Sequence, residues 1–103
     1  MKESAFQKKV IAFIKSLPRT WIVNIWGGGF MKAGIPDLLI CINGKFMALE
    51  LKREGGVVSP LQERNIRLIN EAGGIGIILF PDDFDEFKKY AATIANGDDK
   101  NAI

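Results

Sequence analysis

Three side chains in the middle of the chain are of the types that carry out metal-assisted hydrolysis. Asp37 and Glu50 supply carboxylates, and Lys52 supplies an ammonium group two residues further on. The sequence has no histidine and a single cysteine, Cys41. This composition excludes Ser-His-Asp triads, Cys-His dyads and His-ligated zinc. Any catalysis must therefore use carboxylates, lysines, hydroxyls or a hard metal ion.

A predicted β-hairpin contains both carboxylates. Strand-like runs over 37–42 and 45–53 flank Asn43-Gly44, which is the preferred pair for a two-residue type I′ turn. In such a hairpin Ile42 pairs with Lys45. The turn therefore fixes the register of the two strands along their whole length.

This register sets the two carboxylates directly opposite each other. Asp37 and Glu50 are expected on adjacent strands with Cβ atoms about 4.5–5.5 Å apart. Lys52 shares the face of Glu50, because side chains alternate along a strand. Both faces of the hairpin are otherwise largely apolar, so we expect helices to cover both.

Two opposed carboxylates at the end of a half-buried sheet need a compensating charge. A divalent cation would supply it, and ligation by oxygen alone suits Mg²⁺ or Mn²⁺ rather than zinc. Lys52 would then orient or deprotonate a water, or offset charge that grows on a phosphate. The alternative is that Glu50 and Lys52 form a surface pair at a sheet edge and that Asp37 only begins a strand.

The helices are predicted from apolar periodicity and from capping signals. The first helix is expected to begin at a Ser4–Gln7 capping box and to end at Pro18. A second helix opens with Ser59-Pro60-Leu61-Gln62 and runs to about Ala72. A third is expected from an Asp83–Glu86 pair to about Ala95.

Adding strands over 21–26 and 75–80 gives the order α-β-β-β-α-β-α. The 103 residues fit one domain, predicted over 1–96, with a loose tail over 97–103. Residues 1–67 hold 11 Lys and Arg against 5 Asp and Glu, whereas residues 68–103 hold 3 against 7. A basic front of this kind is compatible with a polyanionic partner or with chance variation.

The chain has none of the signals for membrane insertion or secretion. No apolar run approaches the ~20 residues of a membrane span, and the first residues do not read as a secretory signal. One cysteine allows no intrachain disulfide. We therefore expect no membrane partner and a location in the cytoplasm, that of a bacterial or phage-infected host cell.

The spacing of these motifs resembles that of a nuclease family. The order Gly-x-Pro-Asp, then Glu-x-Lys, then a Gln that opens a helix is similar to the VRR-NUC branch of the PD-(D/E)XK nucleases. The motif stretch covers residues 34–62. The resemblance implies a restriction-endonuclease-like α/β core with a mixed sheet flanked by helices. The residues that carry it are Gly34-Ile35-Pro36-Asp37, Gly44, Glu50-Leu51-Lys52 and Ser59-Pro60-Leu61-Gln62.

The resemblance also implies roles for individual residues. Asp37 and Glu50 would ligate Mg²⁺ or Mn²⁺, with the backbone carbonyl of Leu51 as a third ligand. Lys52 would be the catalytic lysine. Gln62 would point into the site and hold substrate or water, in competition with its capping-box role.

A Glu in the first helix often reaches the metal in this family. Glu3 is the acid nearest in sequence for that role, and its alternative is a favourable charge at a helix N-terminus.

Contacts to DNA phosphates are expected from residues that flank the motif. Arg53 and Arg64 are candidates, as are Lys32 and the backbone amides around Gly28. Trp21 and Trp26 can stack on bases, but tryptophan in a strand more often belongs to the core. Cys41 is likewise expected in the core.

The function implied by the resemblance is a metal-dependent, structure-selective DNA endonuclease. Small standalone members of the branch resemble homodimeric resolvases of four-way (Holliday) junctions, so branched DNA and a homodimer are the expected partners. The alternative is a non-catalytic module that binds DNA or docks a partner on a nuclease fold.

Overall fold

The protein is an α/β structure built from one four-stranded mixed sheet and three helices. The computed structural model describes residues 2–25 and 33–97. The elements follow the predicted order. They are α1 (Glu3–Ser16), β1 (Thr20–Asn24), β2 (Leu38–Ile42), β3 (Lys45–Leu51), α2 (Pro60–Glu71), β4 (Ile75–Leu79), a 3₁₀ turn (Pro81–Asp83) and α3 (Phe84–Ala95).

The sheet has the spatial order β1-β2-β3-β4. Neighbouring strands are antiparallel between β1 and β2 and between β2 and β3, and parallel between β3 and β4. Ile42 pairs with Lys45 and Leu38 with Leu49, so the predicted hairpin register is confirmed. Asn43 and Gly44 adopt φ values of 49° and 81°, as a type I′ turn requires.

The hydrophobic core lies on one face of the sheet, beneath α1 and α3. Alternate residues of β2 and β3 point into it and are fully or nearly fully buried, as period-two alternation dictates. The helices contribute matching apolar stripes. The main members are Phe6, Val10, Ile14, Leu38, Ile40, Ile42, Met47, Leu49, Leu51, Phe87, Ala91 and Ile94.

The opposite face is covered only in part, which corrects the expectation that helices cover both faces. α2 packs over β3 and β4. Trp21 and Cys41 pair on β1 and β2, which α2 does not cover, and both are exposed. Phe46, the β3 partner of Cys41, lies beside Ile69 of α2 and is 45% exposed. The expected core positions of Trp21 and Cys41 are therefore wrong. β4 is mostly half-buried and forms an edge of the sheet among the described residues.

Two predicted helix caps are also wrong. α1 begins at Glu3 after Lys2, without a side-chain cap, and Gln7 is buried and donates to Asn24 Oδ1 at 3.3 Å. Asp83 makes no capping hydrogen bond, because a 3₁₀ turn leads directly into α3. No helix in the described part of the chain is long and apolar enough to cross a membrane. The predicted tail lies almost wholly outside the described residues, which end at Gly97.

The hairpin turn and the loop before β1 cap the C-terminus of α3. Asn43 Nδ2 donates to the Ile94 carbonyl at 3.0 Å, and the Arg19 guanidinium donates to the Ala95 carbonyl. These bonds satisfy carbonyls that a helix end otherwise leaves unpaired. They tie the hairpin to the last helix, 51 residues away in sequence.

Substitutions of Asn43 separate this hydrogen bond from the turn conformation. Asn43→Gly keeps the positive φ and loses the bond to Ile94, so we expect a loss of about 1 kcal/mol in the free energy of unfolding. Asn43→Ala adds the strain of a left-handed non-glycine residue, for a total of about 2–3 kcal/mol. Urea unfolding measures both values. Equal losses for the two variants would contradict the assigned strain.

Candidate functional site

Asp37 lies immediately before β2 and is held by two hydrogen bonds. Its carbonyl accepts the N–H of Ile25 at 2.9 Å, which extends the β1–β2 ladder by one step. Its Oδ2 atom accepts the N–H of Leu51 at 2.8 Å. Extension of the hairpin register by one residue sets Asp37 opposite Glu50, as predicted from the turn.

Close packing against α2 explains why the Gly-x-Pro-Asp motif has a glycine at its first position. Gly34 has a φ of 86°, and a Cβ added there would lie 2.7 Å from Leu61 Cγ on α2. The Gly34 carbonyl accepts a hydrogen bond from Asn65 Nδ2 at 2.8 Å. The segment that leads to Asp37 is thus fixed against α2. Sequence reasoning missed Asn65, although it lies one helical turn after Gln62.

Glu50 is a charged side chain in the interior of the sheet. It lies on β3 opposite Ile78 of β4, and only 3% of the residue is exposed. Its Oε2 atom accepts a hydrogen bond from Gln62 Nε2 at 3.0 Å and lies 3.9 Å from Lys52 Nζ. Its Oε1 atom is buried and has no hydrogen-bond partner among the described residues. Such an atom in a native fold requires an explanation.

Gln62 forms its predicted capping box and also points into the site, where it contacts Glu50; a role in holding substrate or water stays a prediction. Its Oε1 atom accepts the backbone N–H of Ser59 at 2.9 Å, while the Ser59 hydroxyl accepts the N–H of Gln62 at 3.1 Å. Its Nε2 atom is left to donate to Glu50. The expected competition is wrong, because the two ends of one amide serve the two partners. The capping box therefore orients the amide with its donor toward the carboxylate.

Lys52 follows the end of β3 and extends its pairing, since its N–H donates to the Leu79 carbonyl at 3.0 Å. Its side chain is 12% exposed and lies beside Glu50 on the predicted face. The structure thus brings together Asp37, Glu50, Lys52 and Gln62. Leu51 follows Glu50 on β3, and its N–H donates to the Asp37 carboxylate.

The electrostatics of the site favour the protonated form of the Glu50 carboxyl. Burial raises the pKa of Glu50 to about 8, with further contributions from the Asp37 charge and from a side-chain hydrogen bond between the two carboxyls, and Lys52 opposes the shift. Burial also raises the pKa of Asp37, while the hydrogen bond from Leu51 opposes that change. Near neutral pH the Glu50 carboxyl is therefore largely protonated when no cation is bound.

Glu3 occupies the first turn of α1, where its charge favours the helix dipole. Its charge is also the smallest of the causes that raise the pKa of Glu50. The residue is exposed. A direct metal-binding role for Glu3 stays a prediction.

The residues fit a hard divalent cation. No three Asp, Glu, His or Cys side chains in 2–25 and 33–97 are grouped closely enough to enclose a metal ion. A Mg²⁺ ion, however, is often held by one or two carboxylates and keeps several waters. The unsatisfied Glu50 Oε1 atom beside Asp37 is the kind of oxygen ligand that such an ion requires.

The predicted DNA contacts are only partly described. Arg53 and Arg64 are exposed, on the segment after β3 and on α2. Arg53 donates to the Glu54 carbonyl at 3.3 Å. Gly28, Lys32 and Trp26 lie outside the described residues. Trp21 is exposed, but it lies four residues along the sheet from the level of Asp37.

Comparison of the chain with family models, with curated proteins and with solved structures finds no match.

The raised pKa of Glu50 makes the stability of the metal-free protein depend on pH. A carboxyl whose pKa is 4.5 when unfolded and about 8 when folded stabilises the fold below pH 4.5. That stabilisation is lost as the pH rises through 8. In EDTA, we expect the free energy of unfolding to fall by about 2–4 kcal/mol from acidic to alkaline pH.

The Glu50→Gln substitution should abolish most of this pH-dependent fall in the free energy of unfolding. At alkaline pH the variant should be more stable than the wild type. Glu63→Gln, an exposed acid in the first turn of α2, is the matched control and should keep the wild-type profile. Urea unfolding across the pH range measures the three profiles. A wild-type profile as flat as that of Glu50→Gln would contradict the assignment.

Proposed function

We propose that the chain is a metal-dependent nuclease of the PD-(D/E)XK type, similar to the VRR-NUC branch, that hydrolyses DNA phosphodiester bonds. The observation that carries the proposal is the buried, unsatisfied Glu50 Oε1 atom beside Asp37. An ionised carboxylate buried at this position without a counter-ion would destabilise the fold. A site for a divalent cation explains why it is kept.

The carboxylates of Asp37 and Glu50, with the Leu51 carbonyl, would hold Mg²⁺ or Mn²⁺, and Glu3 would contribute from α1. A bound ion of this kind polarises a phosphate and lowers the pKa of a water. Gln62 fixes Glu50 through its amide donor, so that the carboxylate keeps one orientation.

Lys52 places a positively charged side chain at this site. Its ammonium lies 3.9 Å from Glu50 and is 12% exposed. It can donate hydrogen bonds to a phosphate oxygen or to an attacking water, and its charge offsets the negative charge that develops on the phosphate. Loss of this group should therefore reduce the chemical step more than substrate binding.

The proposed substrate is structured duplex DNA, with four-way junctions and flaps as the forms to compare. Arg53 and Arg64 are exposed cations on elements that flank the site and would contact phosphates, as would Lys32 and the amides around Gly28. Two copies of the chain would present two such sites to two symmetry-related strands of a four-way junction, which is itself close to two-fold symmetric.

Cleavage of labelled DNA tests the proposal directly. We expect cutting of a four-way junction, a flap or a linear duplex with Mg²⁺ or Mn²⁺, and none in EDTA. Glu50→Gln and Lys52→Ala should lower the rate about 100-fold or more, and Gln62→Leu should lower it less. Glu63→Gln and Lys89→Ala, on exposed positions of α2 and α3, are the matched controls and should cut like the wild type.

Two results would overturn the proposal. One is the absence of metal-dependent cutting of all three substrates by protein that is folded and binds DNA, which would favour the non-catalytic module. The other is equal cutting by Glu50→Gln and Glu63→Gln, which would assign the activity to a contaminant.

A further inference from the structure

The free side of β4 presents backbone groups at two positions. β4 is an edge strand of the sheet among the described residues. The Leu79 carbonyl accepts the N–H of Lys52 from the β3 side at 3.0 Å. Neighbouring residues of a strand direct their backbone groups to opposite sides. Gly76 and Ile78 therefore direct their N–H and C=O groups away from β3.

The side chain of Asn70 closes the edge at Gly76. Asn70 Oδ1 accepts the N–H of Gly76 at 2.8 Å, and Asn70 Nδ2 donates to the Gly76 carbonyl at 3.0 Å. One amide thus makes the two hydrogen bonds that a neighbouring strand would make. Within residues 2–25 and 33–97, the backbone groups of Ile78 have no such partner on this side. Open backbone groups of this kind are a template for pairing with another chain.

A groove of about 230 Å³ lies beside this open position, between the edge of β4 and α3. Residues 77–79 form its strand side, and Asp83, Glu86, Phe87 and Tyr90 form its helix side. The three- and four-residue spacing of the latter places them on one side of the helix. Pockets for small molecules begin at roughly 300 Å³. The groove is therefore of a size for single side chains of a peptide.

The charge of the groove selects its occupant. Phe87 is buried, whereas Asp83 and Glu86 are exposed. Neither carboxylate forms an ion pair with another described residue, and Asp83 makes no capping hydrogen bond. A Lys or Arg side chain fits such a groove, because its apolar stem packs on an aromatic ring while its charged head stays at the surface. The same carboxylates repel phosphates, which excludes a nucleic acid.

We propose that the β4 edge binds an extended segment of a partner protein that carries Lys or Arg at two alternate positions. The segment adds a fifth strand, antiparallel to β4, and its central residue exchanges both backbone hydrogen bonds with Ile78. The residues before and after the central one lie on the same face as Ile77 and Leu79, which is the α3 face. Their cationic side chains therefore point toward Asp83 and Glu86.

The edge limits the segment to a short stretch and excludes a second β4. Asn70 already occupies the groups of Gly76, and the Phe80 carbonyl accepts the N–H of Asp83 at 3.0 Å. Pairing is thus confined to the neighbourhood of Ile78. Residues 74–80 contain no Lys or Arg, so β4 of another copy lacks the cations that the groove requires.

Amide hydrogen exchange measured by NMR tests whether the edge is open. In the free protein, in EDTA and without DNA, the N–H of Gly76 should exchange slowly and that of Ile78 should exchange fast. Asn70→Ala should speed the exchange of Gly76 about fivefold or more, as expected for the loss of one hydrogen bond. Circular dichroism confirms that this variant is folded.

A blocked peptide Thr-Lys-Val-Lys-Thr is the probe for binding. It should shift the NMR signal of the Ile78 N–H and slow its exchange. Two matched peptides separate the contributions of charge and backbone. One has Glu in place of both lysines, and the other has an N-methyl group on the valine and so lacks the N–H that donates to Ile78. Each should bind about tenfold more weakly or less, the cost of one hydrogen bond or of two ion pairs.

Variants of the groove test the assigned carboxylates. Glu86→Gln and Asp83→Asn should each weaken binding of the lysine peptide about two- to fivefold, as for exposed ion pairs. Asp85→Asn is the matched control, because it removes the same charge from the same helix. Asp85 pairs with Lys88, whose ammonium lies over the Phe84 ring on the α1 side of α3. This variant should bind the peptide like the wild type.

Several results would overturn the proposal. They are an Ile78 N–H as slow to exchange as that of Gly76 in the free protein, no binding of the lysine peptide, and equal binding of the lysine and glutamate peptides or of the N-methylated one. None of these measurements involves a metal or cleavage. A nuclease that does not bind the peptide removes this interface alone. Peptide binding by a protein that cuts nothing removes the proposed nuclease activity alone.

Discussion

Glu50 places a carboxyl group inside the sheet next to Asp37, and the fold compensates this group only in part. Gln62 satisfies one oxygen and Lys52 provides a nearby charge, but the other oxygen accepts no hydrogen bond from the described residues. Burial of an ionised carboxylate costs several kcal/mol, and the raised pKa of Glu50 shows that protonation relieves the cost. A cation would relieve it and leave both acids charged.

The surrounding structure holds this arrangement from three sides. The Asn43-Gly44 turn fixes the strand register that sets the acids opposite each other. The close contact of Gly34 with α2 fixes the segment that carries Asp37. The capping box at Ser59 begins α2 and also turns the Gln62 amide toward Glu50. A helix cap, a turn and a glycine contact thus together fix the positions of the Asp37 and Glu50 carboxyl groups.

The sequence predicted the parts of this structure that depend on local signals. An Asn-Gly turn admits few alternatives, so the hairpin register and the opposition of Asp37 and Glu50 followed from residue counting. The sequence does not predict that Gln62 contacts Ser59 and Glu50 at the same time. The spacing of the residues suggests each contact separately, but it does not show that one amide can reach both.

The errors concern burial and caps, which depend on tertiary packing. The sequence predicts core positions for Trp21 and Cys41, because tryptophan in a strand and a lone cysteine usually belong to the core, but α2 packs over β3 and β4 and leaves both residues exposed. The Ser4–Gln7 box failed because Gln7 is drawn into the interior, where it contacts Asn24. No local pattern shows which half of a sheet a helix will cover.

Titration of the metal-free protein with Mn²⁺ by calorimetry at neutral pH tests the central claim most directly. The account predicts that one ion binds the wild type and Glu63→Gln alike, and that Asp37→Asn and Glu50→Gln each lose binding while staying folded. Absence of binding to the wild type, or equal binding by Glu50→Gln and Glu63→Gln, would show that the paired carboxyls are not a cation site.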